Sequence, residues 1–111
     1  MSRYMVLFLG AGDPQDKASV PDDVSARFMR AWGEWHRGHA DAIVESGTPL
    51  GANHRVTSDR TDPVGNRMVA WMLVEAGSAE DAAAMFSRHP HILLLPGNAV
   101  DVMELLPLPT E

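Results

Sequence analysis

The 111-residue chain reads as an α+β domain on the ferredoxin-like plan, β-α-β-β-α-β, and three observations lead there. Apolar runs of strand length open the chain, close it and stand in its second half. Two stretches with helical spacing and capping residues separate these runs. Turn-forming residues mark the junctions, and no repeat, linker or low-complexity segment interrupts the series. The plan is a four-stranded antiparallel sheet with two helices on one face. Its other face is apolar and short of cover, so a second copy of the chain is expected to lie against it.

The elements follow in order. "YMVLFL" at 4–9 is a continuous apolar run, suited to a strand covered on both faces. "GAGDPQDKA" is a loop by its Gly, Pro and polar content. Ser19 and Asp22 match a capping box, and Asp22 and Asp23 suit the positive end of a helix. A first helix is expected from Val20 to Ser46, with Val24, Phe28, Ala31, Trp32, Trp35, Ala42 and Ile43 on its apolar stripe. Gly47, in a left-handed conformation, and Pro49 are expected to end it. "PLGANHRVT" at 49–57 is polar enough for an edge strand, and "SDRTDPVGN" is a connector. "RMVAWMLVEA" at 67–76 is a further apolar strand. Ser78 and Asp81 repeat the capping pattern and open a second helix over 79–88, with Ala79, Ala82, Ala83 and Phe86 inward. Pro90 should stop that helix near Arg88, because the residue before a proline avoids the helical region. "AVDVMELLP" at 99–107 is the last strand.

Composition narrows the function. The chain is 45% hydrophobic, enough for a real core. A net charge of −6 disfavours nucleic acid and an anionic membrane surface as partners. No cysteine is present, so disulfides, thiolate zinc sites and cysteine nucleophiles are excluded. The first apolar run is too short to span a bilayer and lacks a small-residue cleavage site. A cytoplasmic protein is expected. "GAGDP" lacks the G-x-G-x-x-G spacing of a dinucleotide loop, and no G-x-S-x-G stands in the chain.

"YMVLFLG", "AWGEW", "SGTPLG", "SAEDAAAMFSRHP" and "PGNAVDVMELLPLP", in this order and spacing, resemble the YCII-related proteins. These belong to the dimeric α+β barrel group, which also holds muconolactone isomerase-like enzymes. The resemblance implies a homodimer with a small pocket between helices and sheet. It implies a His/Asp pair in place of a bound cofactor, and proton-transfer chemistry of isomerase or lyase type on a small cyclic or aromatic molecule. Counting back from the expected helix-ending glycine carries the family's helix histidine onto His36. The "HP-H…PG" stretch carries over onto His89, Pro90 and His91. Many members have Asp before that proline, where this chain has His89. Asp13, in the loop after the first strand, is a substitute acid.

The residues support the same candidates on their own chemistry. His36 stands at the edge of the helical stripe, one turn from Trp32, where an imidazole can move a proton near neutral pH. The alternative is an ordinary boundary histidine. His39 lies nearer the middle of the stripe, so its ring must be hydrogen-bonded in the core or line a cavity as a substrate contact. His89 can cap the carbonyl end of the second helix or line a pocket with His91, which can also be plain surface. Trp32, Trp35 and Trp71 are expected as core and pocket wall. Catalysis is thus assigned to His36, His91, His89 and Asp13, and substrate contact to Trp32 and His39. Two alternatives stand beside it: a non-catalytic ligand-binding module, and a metal held by His36 and His39 with His89 and His91.

Overall fold

The computed structural model describes residues 1–11 and 21–109. Ser19, Val20 and Asp13 lie outside the described residues, and with them the expected first capping box and the proposed acid.

The protein is a mixed α+β chain around a four-stranded antiparallel sheet. Strand β1 (Ser2–Leu9) is central, flanked by β5 (Met68–Ala76) and β6 (Ala99–Glu104). Strand β2 (Ile43–Glu45) forms the edge beyond β5. Side chains alternate across a strand, so the apolar run of β1 divides into two sets. Tyr4, Val6 and Phe8 are buried, opposite Val74, Met72 and Ala70 of β5, and Met5, Leu7 and Leu9 are half-buried on the other face. The core is one cluster on the first face, closed by Ala82 and Phe86 and flanked by Trp32, Trp35, Val100 and Val102.

Among the described residues three helices, rather than two, contribute to that face. Helix α1 (Asp22–Gly38) sends Trp32 onto Phe8, with ring centres 5.0 Å apart. Helix α2 (Ala79–Ala84) contributes Ala82, and Phe86 follows in the turn after it. Helix α3 (Pro90–Leu94) sets His91 edge-on against Phe8.

Several sequence expectations are corrected. The first helix ends at Gly38, capped by His39, and not at Ser46. Ile43, on the expected stripe, and its neighbour Val44, both β-branched, are drawn into β2 instead, where pairing with β5 outweighs helical spacing. At the start of α1 the cap residue is Pro21, with no side-chain cap. Gly47 does take a left-handed φ of +69°, for another reason. A Cβ there would run into the Trp71 carbonyl oxygen, so the chain passes β5 too closely for any side chain.

Of the strand expected at 49–57, Pro49 makes only a bridge to Ala70, and residues 54–56 form a strand outside the four-stranded sheet. Strand β3 (His54–Val56) pairs with β4 (Thr61–Pro63) in a separate, exposed hairpin. The helix expected over 79–88 is the six-residue α2 followed by turns, with Ala79 and Ala83 exposed. The last strand stops at Glu104, short of 107. Among the described residues no helix is long and apolar enough to cross a membrane.

Candidate functional site

Pro90 is the hinge of the site. It begins α3 as its first helical residue, where a proline's missing N–H costs nothing, and it holds His89 extended at φ −62° and ψ 140°. His89 is therefore the N-cap of α3, and not a cap on the carbonyl end of the preceding helix. Its Nδ1 accepts the His91 backbone N–H at 3.0 Å.

This turn directs the His89 ring into the core, where it has no exposed surface. Ring centres of Trp32 and Trp35 lie 4.5 and 4.6 Å away, Phe8 at 5.0 Å and Phe86 at 5.8 Å. The four rings form an aromatic box around one imidazole. Nε2 lies inside it with no hydrogen-bond partner among the described residues. Burial pushes the His89 pKa down to about 3, helped by the nearby His91, His39 and His36, whose charged forms would repel a second cation. His89 is a neutral ring at physiological pH.

His91 is buried too, and not surface. Its Nε2–H donates to the Leu9 carbonyl at 2.8 Å, and its own carbonyl accepts the Asn98 amide at 2.9 Å. Asn98 also accepts the Ala11 N–H at 2.8 Å. Burial lowers the His91 pKa, opposed by the Leu9 hydrogen bond. With both ends of the residue tied down, His91 anchors α3 to the end of β1. This joins the HPH turn to the start of β6, as the Leu9–Ala99 pairing requires.

His39 and His36 stand on the α1 side. The His39 ring stacks on Trp35 with centres 4.1 Å apart, and its Nδ1–H donates to the Trp35 carbonyl at 2.8 Å. In the neutral ring this leaves Nε2 with a bare lone pair. His36 is half-buried, its ring centre 6.4 Å from that of Trp35. Trp35 itself is fixed by a hydrogen bond from Nε1 to the Met85 carbonyl at 3.2 Å.

The structure thus brings His36, His39, His89, His91 and Trp32 into one region. Trp71 is placed elsewhere: it pairs with Leu7 on the far face of the sheet, its Nε1 donating to Thr48 Oγ1 at 3.3 Å. Phe8 and Phe86 were missed as walls of the box. "YMVLFL" is apolar throughout, so its pattern assigns Phe8 to neither face, and Phe86, expected inward, carried no sign of a histidine as its neighbour. Among the described residues no three His, Asp or Glu side chains converge as a metal site would require. An open cavity of about 290 Å³ lies between Met1, Asp41, Glu75, Asp81 and Met85, beside the start of β1, and has no histidine in its lining.

No protein-family model matches the chain, and no curated protein matches it in sequence.

Proposed function

We propose that the chain is a YCII-related protein on the ferredoxin-like plan, paired as a dimeric α+β barrel. Its aromatic box carries proton transfer, of isomerase or lyase type, on a small cyclic or aromatic molecule. The observation that carries this reading is the His89 imidazole, buried among four rings with Nε2 unpartnered. Leaving a buried donor unmade costs about 1–3 kcal/mol, which an evolved core avoids unless the group has a use. His39, with its bare Nε2, and His36 supply the proton-moving groups. A proton taken by His39 from the carbon beside a carbonyl, and returned at another carbon, isomerises the substrate. Loss of a leaving group in place of that return makes the step an elimination.

The sheet order β2-β5-β1-β6 supports that plan. The half-buried Met5, Leu7 and Leu73 and the exposed Met103 form an apolar sheet face that a second copy would cover. A cysteine-free chain fits a reducing compartment such as the cytoplasm.

Thermal shift against cyclic ketones, lactones and aromatic acids, followed by NMR of bound ketones in deuterated buffer, tests the site. Stabilisation with deuterium entering beside the carbonyl is expected, and no stabilisation by any of them would sink the reading. A second reading, a binding module without catalysis, is favoured by one fact: among the described residues no histidine pairs with a carboxylate. Stabilisation without deuterium exchange would select it.

A further inference from the structure

We infer that His89 is a fixed N–H donor, held in one tautomer by its own helix cap, and that the ligand of the aromatic box is an uncharged planar ring bearing a carbonyl oxygen. This deepens the proposed site and rests on it.

The tautomer follows from the backbone. His91 N–H can only donate, so the His89 Nδ1 that receives it must hold a lone pair. A neutral imidazole has one ring proton, which therefore sits on Nε2. Turning the ring over would lose the cap, and protonating Nδ1 would place two donors against each other. His89 is thus unsuited to be the general base. It is suited to polarise an oxygen, as a neutral donor aimed at the place where negative charge develops when a proton leaves the neighbouring carbon.

The ligand class follows from what surrounds the donor. The neighbours of the His89 ring are the faces and edges of Phe8, Trp32, Trp35 and Phe86, which favour a flat apolar body. The box offers one polar direction, Nε2, and so asks for one acceptor. None of these four neighbours is a cation, so a carboxylate would be buried without a counter-charge. A ketone or lactone carbonyl satisfies the donor without that cost. Entry requires Trp32 to swing, because His89 has no exposed surface and Trp35 is tied to the Met85 carbonyl. Trp32 belongs to α1, which buries no residue completely.

Side-chain nitrogen–proton NMR of the labelled full chain at pH 7 tests the tautomer without any ligand. The expected spectrum has the His89 proton on Nε2, and a proton on Nδ1 would overturn the inference. The same sample then receives 1-indanone, indane and indane-1-carboxylate. Indanone is expected to bind about ten-fold more tightly than indane, as one buried hydrogen bond allows. It should shift the Nε2–H resonance and change tryptophan fluorescence, and the carboxylate should not bind. His89→Gln, which keeps an N–H donor, should retain part of the carbonyl preference. His89→Phe, which keeps a ring, should abolish it. Equal binding of indanone and indane to the parent chain would overturn the inference and leave the apolar pocket standing. Binding of none of the three would overturn both the ligand class and the pocket. An Nε2–H that ignores bound indanone would assign the donor to the π faces of its neighbours and defeat the inference.

Discussion

At the scale of single residues, His89 makes stability depend on pH. Its pKa is about 3 in the folded protein and 6.5 in the unfolded chain, so between these values the unfolded chain holds more protons. Stability is complete above pH 6.5 and falls as pH drops below it. Urea unfolding should show a loss of about 2 kcal/mol from this group between pH 6.5 and pH 5. His89→Phe should remove that share of the slope, and an unchanged slope would show that another group titrates. Gly47 is the second sensitive position. Gly47→Val meets both a left-handed φ and the β5 backbone, so it should cost about 2 kcal/mol or more, and an unchanged melting curve would refute the close approach. The sequence revealed the glycine and the His-Pro-His turn, because Gly and Pro act on the local backbone. It did not reveal that Nδ1 of His89 turns back to cap α3, since that orientation also needs the core pocket that receives the ring.

At the scale of elements, local signals were legible where they compete with nothing. Ser78 accepts the Asp81 N–H at 3.0 Å, as the capping pattern implied. Ser78→Ala should therefore cost about 1 kcal/mol in chemical denaturation, and no change would show that α2 is held by packing alone. β1 and β5 were legible because long apolar runs allow few other fates. The boundaries failed where pairing partners are distant in sequence. The helical stripe from Val24 to Ile43 continues in sequence past Gly38, but the edge of β5 claims Ile43 as β2. β3 lies inside the strand expected at 49–57, but its partner β4 was hidden in the polar connector. Their hairpin is held by local contacts such as the Arg60–Asp62 ion pair and the Thr57–Arg60 turn, which carry no apolar pattern.

At the scale of the molecule, a sheet with helices on one face leaves the other face unfinished. The radius of gyration is 15.8 Å, against about 13 Å for a compact chain of 100 residues. Light scattering should give twice the chain mass. Leu73→Lys, placed beside Met5 on the open face, should give a folded monomer, and a parent chain that is already monomeric would remove the second copy. The proposed function requires that His89 be kept for chemistry and not for packing. The unfolding free energy of His89→Phe at pH 7 tests this most directly. Losing the cap costs about 1 kcal/mol, and removing an unpaired buried donor returns about 1–3 kcal/mol. The expected variant is within about 1 kcal/mol of the parent, or more stable, despite a substitution at a fully buried site. A loss of about 3 kcal/mol or more, the size of a truncated core ring, would contradict it and make His89 a structural residue.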